Sequence, residues 1–221
     1  MFYDYDCKLF AHGLQALSDR QVLEILLCNI TNKREIDVII SEVGSSFVDV
    51  VNLGYERLSY VTNISQKVIY YLEFLREFTS RYLASSYIRS GSMSLDTSEK
   101  LCEYFRKLFV GIKREELHIM GLDDELCIKC KDVLSTGAPD TTSISIRKIT
   151  EFTIFNNVSR IVLAHNHPQG LPCPSEEDMR ATKDVVYFMR KMRVEVIDHI
   201  VVGNGGTFSM RASQFVAKIW R

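Results

Sequence analysis

A short apolar run, Arg160-Ile161-Val162-Leu163-Ala164, leads straight into His165-Asn166-His167-Pro168, and this join constrains the chain more than any other stretch. The run reads as a buried strand. Pro168 ends it, because proline has no N–H for a strand ladder. In extended backbone, side chains two positions apart leave on the same side, so both imidazoles aim at one point. The loop Pro168-Gln169-Gly170-Leu171-Pro172-Cys173-Pro174 then turns the chain back, and Ser175 opens a helix. Its S-x-x-D spacing to Asp178 fits an N-cap followed by an acidic residue at the positive end of the helix dipole. The same carboxylate is alternatively the third ligand of a metal held by the two histidines. Two histidines and a carboxylate, with a fourth position open to water, form the ligand set of a catalytic zinc site. Taken singly, H-x-H is common and S-x-x-D is usually a cap; together they are far more specific.

The pattern of strand end, H-N-H-P, glycine-proline loop and S-x-x-D resembles the JAMM (JAB/MPN) metallopeptidases. Their signature is a remote Glu followed by H-x-H-P, a loop and S-x-x-D. The wording AHNHPQG is similar to one bacterial branch, the RadC-like (UPF0758) proteins. The resemblance implies a three-layer, mixed-sheet α/β domain of the cytidine-deaminase-like kind, and zinc (Zn2+) held by His165, His167 and Asp178. It also implies a glutamate base, for which Glu115 and Glu116 are adjacent candidates. Strand alternation puts Glu115 on the face of Leu117 and Ile119, and Glu116 opposite with His118. Aligning Leu122-Asp123 with the RadC-like pattern E-x-F-x-V-L-F-L-D lands the family glutamate on Glu115, which is the expected base. Ser175 is expected to donate a hydrogen bond to the developing oxyanion. His199, in Ile197-Asp198-His199-Ile200, matches an Asp-His pair of RadC-like proteins, but its spacing does not make it a ligand. It reads as a core histidine satisfied by hydrogen bonds.

Periodicity organises the remainder. Ser18-Asp19 caps a helical face of Val22, Leu23, Leu26, Leu27 and Ile30; residues 33 to 43 repeat it, ending at Gly44. A short helix near 55 to 61 and a long one from 65 to 84 complete an all-α module over residues 1–85. In RadC-like proteins this region carries a helix-hairpin-helix element whose hairpin reads G-I-G. Here Asn63-Ile64-Ser65 stands there, without the glycines that let backbone N–H groups approach a phosphate. Residues 1–85 also hold 8 Lys+Arg against 11 Asp+Glu, a formal −3, so DNA binding is disfavoured. The serine-rich stretch 86–96 reads as a linker. Residues 97–221 then read as a helix from 97 to 110 followed by strand, strand, helix, strand, helix, strand, strand, a mixed-sheet α/β order.

Composition excludes several classes. The formal net charge of −1 gives no bulk attraction to nucleic acid or an anionic membrane. No apolar run is long enough to span a bilayer, and the acidic start lacks the order of a signal peptide. Six cysteines in such a chain are expected to stay reduced, in the cytoplasm. Zinc nucleoside deaminases need H-x-E and P-C-x-x-C, where this chain has H-N-H and Pro172-Cys173-Pro174-Ser175. Thermolysin-type H-E-x-x-H does not occur, and residues 97–221 are too few for an eight-stranded amidohydrolase barrel. The expectation is a zinc metalloprotease or isopeptidase-like hydrolase acting on a peptide or protein. The alternatives are a DNA-associated repair protein and a catalytically silent scaffold.

Overall fold

The structure, a computed structural model, describes residues 17–43, 46, 49–50, 60, 64–91, 94–137 and 144–220. The chain divides into two compact units that meet between Thr79 and Ser80.

In the first unit, helix α1 (Asp19–Leu27) starts at Ser18. The Ser18 hydroxyl accepts from the Gln21 N–H while the Gln21 side chain returns to the Ser18 N–H, a complete capping box. Helix α2 spans Lys33–Val43. Leu23 and Leu27 of α1, Ile36, Ile39 and Ile40 of α2, and Val68, Ile69 and Leu72 form one apolar core. Each such side chain taken out of water contributes about 1.5–3 kcal/mol. Buried Glu35 accepts from the Thr31 hydroxyl and the Ser65 N–H, tying α2 to the start of the next helix. The expected end at Gly44, the short helix near 55 to 61 apart from Tyr60, and position 63 of the hairpin lie outside the described residues.

Helix α3 runs Gln66–Gly91. Most of the stretch expected to be a linker, residues 86–91, is therefore helical. Serine content misled the reading: Ser, Tyr, Ile and Arg carry only modest helix penalties, and the first strong breaker is Gly91 itself.

The second unit is the mixed α/β domain that the sequence leads one to expect. Helix α4 (Ser98–Leu108) precedes strands β1 (Glu115–Leu122) and β2 (Ile128–Gly137), helix α5 (Ile146–Asn156) and strand β3 (Arg160–His167). Helix α6 (Glu176–Lys191), strands β4 (Glu195–Gly203) and β5 (Gly206–Ser209), and a 3-10 turn (Ala217–Trp220) complete it. The sequence places the second strand at 126 to 134; β2 begins two residues later, because the Asp123 carboxylate accepts from the N–H groups of Glu125 and Cys127 and closes a turn. The sheet order is β2-β1-β3-β4-β5. All pairs are antiparallel except β3 with β4, which is parallel.

Alternation along the strands builds two cores. One face carries Met120, Leu122, Val162, Ala164, Ile200 and Val202 against Leu101, Tyr104, Phe105 and Leu108 of α4. The other carries Leu117, Ile119, Ile161 and Leu163 against α5 and against Val185, Val186 and Met189 of α6. The result is three layers, helix, sheet and helices. The Cys28, Cys102, Cys127, Cys130 and Cys173 thiols are all free. No helix among the described residues is long and apolar enough to cross a membrane.

Candidate metal centre

Strands β1 and β3 pair with Leu117 opposite His165. Glu115 lies two residues earlier on the Leu117 face, which brings it to the end of β3 where the histidines stand. One donor atom each from Glu115, His165 and His167 falls within 4.8 Å of the other two. His165 Nε2 is 3.0 Å from His167 Nε2. Asp178, in the first turn of α6, closes the other side, its carboxylate 3.4 Å from His165 Nε2 and 3.7 Å from His167 Nε2. His165 is buried, while His167 and Asp178 keep partial access to solvent.

Asp178 fills the capping role that its sequence left open, and its carboxylate also faces the two imidazoles that the ligand reading named. Its Oδ2 accepts from the Ser175 N–H at 2.8 Å and the Ser175 hydroxyl at 2.7 Å, a capping box. Burial pushes this carboxyl up, but the facing imidazoles of His165 and His167 in their protonated form, together with the Ser175 hydroxyl, outweigh it and hold Asp178 well below the ordinary range. Ser175 itself is engaged as the cap, its hydroxyl donating to Asp178 and accepting from the Asp178 N–H at 3.0 Å. Burial raises Glu115, with the charge of Asp178 adding to the rise and the two histidines opposing it. Glu116 points the other way, buried, bonded to His118 Nε2 at 2.9 Å and to Arg114 at 3.2 Å. It is thus partnered away from the centre, and His118, which the sequence left without a role, is its partner.

The donor set fits a zinc ion. His167 Nδ1 lies 3.0 Å from the Leu171 carbonyl, which can only accept, so the neutral ring carries its proton there and turns the Nε2 lone pair inward. The Glu115 carboxylate and the two imidazoles lie within 4.8 Å of one another, with Asp178 against both rings, a set of donors that a cation could bridge. A proton is the weaker substitute: the bond to Asp178 raises His167 against the effect of burial, and the Leu171 carbonyl and Glu115 add to the rise.

Three positioning residues escaped the sequence reading. Asn166, between the histidines, is buried. Its Oδ1 accepts from the Glu116 N–H at 2.8 Å and its Nδ2 donates to the Arg114 carbonyl at 2.9 Å, clamping the backbone on both sides of Glu115. Alternation puts it on the face opposite the imidazoles, but its reach to β1 left no signal in the sequence. Thr182 sits one helical turn after Asp178 and carries a hydrogen bond to His199. Gly203, at the end of β4, is where the site loop crosses the sheet: a Cβ there would meet Pro172 N at 2.5 Å, Leu171 C at 2.6 Å and Gly170 O at 2.7 Å. Those are backbone atoms of the loop whose Leu171 carbonyl orients His167, so the loop must move. Gly203→Ala is expected to cost about 1–3 kcal/mol by overpacking, read as a lower denaturation midpoint. An unchanged midpoint would mean that the loop is free to move.

A strand ending in two histidines, a helix N-terminus that supplies a carboxylate, and a glutamate on the adjacent strand define a JAB-domain protein. Residues 95–215 match the model of the RadC-like JAB domain, and the chain belongs to that family. It is 28% identical over 206 residues to a UPF0758 protein of Vibrio campbellii, covering 91% of each chain. A UPF0758 protein of Vibrio cholerae serotype O1 is likewise 28% identical over 206 residues, again covering 91% of each. One from Acinetobacter baumannii is 26% identical over 212 residues, covering 95% of this chain and 90% of that one.

Proposed function

We propose that this chain is a zinc-dependent hydrolase that cleaves an amide bond in a peptide or protein, in the manner of a metallopeptidase or isopeptidase. The convergence of Glu115, His165 and His167 on one point, with Asp178 against both imidazoles, carries the reading. His165, His167 and Asp178 would hold the metal. A bound zinc supplies two things there, a water whose pKa is lowered to about 7 and a Lewis acid for the scissile carbonyl.

The protein's own groups divide the remaining tasks. Asp178, held low, stays an anion and suits a ligand; Glu115, raised by burial, suits a base that must take a proton and give it back. Glu115 accepts the proton of the attacking water as its oxygen bonds the carbonyl carbon. It returns that proton to the amine as the C–N bond breaks, leaving a carboxylic acid and a free amine. Ser175, whose hydroxyl is bonded to Asp178, serves the developing oxyanion by turning its proton from Asp178 toward the substrate. Asn166 keeps Glu115 in place throughout. The setting that suits such a chain is the cytoplasm, where thiols stay reduced. The formal −3 of residues 1–85 weighs against a DNA partner.

Metal analysis by mass spectrometry on the purified protein tests this directly. Roughly one zinc per chain is expected, with chelator-sensitive cleavage in a panel of peptide and isopeptide substrates. A protein that takes up no zinc when supplied with it would leave the domain a scaffold.

A further inference from the structure

We infer that Thr182 and His199 form a directed hydrogen-bond chain that sets the tautomer of His165, so that the Nε2 lone pair of His165 faces the metal centre. The inference deepens the metal-centre reading and rests on it for its purpose, though the tautomer can be measured without any metal.

The chain begins at a group whose direction is not negotiable. The Asp178 carbonyl can only accept, and it lies 2.6 Å from the Thr182 hydroxyl, so the single Thr182 proton is committed to it. The Met210 sulfur, 3.8 Å from the same oxygen, is a far weaker acceptor than the carbonyl, so Thr182 Oγ1 has only acceptor capacity for His199 Nδ1, also at 2.6 Å. His199 therefore carries its proton on Nδ1. Its other nitrogen, Nε2, accepts from His165 Nδ1 at 2.8 Å. That places the His165 proton on Nδ1 and leaves Nε2 bare, 3.0 Å from His167 Nε2 and 3.4 Å from Asp178.

The surroundings keep the chain in this state. His199 and Thr182 are fully buried. Among the described residues, the hydrogen-bond partners of the His199 ring are a hydroxyl and another imidazole, so nothing bonded to it stabilises a charge. The rings of His165 and His199 stand edge to face, 4.9 Å apart, which leaves little room to rotate. Asp178 thus serves the centre twice, its carboxylate facing the imidazoles and its backbone carbonyl anchoring the relay. Metal-bound histidines usually have their second nitrogen held by a carboxylate, a carbonyl or water. Here a second histidine holds it, itself directed by a helix carbonyl.

A purely structural role and a directing role predict different outcomes for two variants of Thr182. Thr182→Ser keeps the hydroxyl. Thr182→Val keeps the shape but removes the acceptor for His199 Nδ1–H, so the relay is free to reverse, with His165 then protonated on Nε2. The test uses the full chain with 15N-labelled histidine. Long-range 1H–15N spectra of the metal-free protein read the tautomers of its five histidines, with His165→Ala as the assignment control. The same proteins are titrated with zinc against a competing chelator.

Nδ1–H on His165 is expected in the wild type and in Thr182→Ser, and its loss in Thr182→Val, with zinc binding weakened about 10- to 100-fold in the last alone. Should Thr182→Val fail to fold, His199→Gln, whose amide can donate to Thr182 and accept from His165, is expected to keep the pattern that His199→Leu loses. Nε2–H on His165 in the wild type, or an unchanged tautomer in Thr182→Val or His199→Leu, overturns the inference. So does equal zinc affinity in Thr182→Val and Thr182→Ser. Failure of the wild type to bind zinc would sink the metal reading instead, and the tautomer spectra alone would then decide the relay.

Discussion

Glu115→Gln is expected to keep its zinc, at roughly one per chain, and to lose about 10^2- to 10^4-fold in hydrolysis, the usual contribution of a positioned general base. Glutamine has the shape of glutamate and still hydrogen-bonds, but it cannot take a proton from water. The backbone around it is unaffected, because Asn166 holds the Glu116 N–H and the Arg114 carbonyl, which do not depend on the side chain. The variant also decides between two uses of one carboxylate. Glu115 lies in one donor group with His165 and His167, so it could serve as a ligand instead of the base. Metal analysis beside the activity assay separates them: loss of zinc together with activity would make Glu115 a ligand, and retained activity would move the base elsewhere.

The second large effect is expected from removing the imidazoles. The His165→Ala, His167→Ala double variant should fall from roughly one zinc per chain to none, and all hydrolysis should go with it. The two positions are not equivalent in stability. His165 is buried and is the partner of His199 Nε2, so its removal strands a buried nitrogen at about 1–3 kcal/mol. His167 has a side chain 20% exposed, and its loss frees the Leu171 carbonyl and one neighbour of the Asp178 carboxylate, which keeps its bonds to Ser175. His167→Ala is therefore the cleaner single probe, expected to lose metal with its thermal midpoint little changed. Zinc retained by the double variant with an intact fold would place the metal somewhere else in the protein.

Much of the centre could be read from local pattern, since local pattern reports periodicity. Period two on β3 put His165 and His167 on one side, and period two on β1, with the family alignment, separated Glu115 from Glu116. S-x-x-D marked the start of α6 and brought Asp178 to it. The cap leaves the ligand reading open, because a carboxylate has enough lone pairs to meet the Ser175 N–H and the Ser175 hydroxyl and still face the imidazoles.

Only the tertiary structure decided what stands behind these residues. Strand β4 slips by one residue between its pairings Ile161 with Val196 and Val162 with Asp198. Without that bulge, residues 196, 198 and 200 would share a face; with it, His199 turns toward α6 and Ile200 toward α4. One extra residue in a strand thus converts a core histidine into the neighbour of His165. The Asn166 clamp spans 50 positions to Glu116, and the relay spans 17 from Thr182 to His199 and 34 from there to His165. Hydrogen bonds at such separations leave no period in the sequence. The sequence by itself determined which residues line the centre; the register of the sheet and the packing of α6 on it determined which way their protons and lone pairs point.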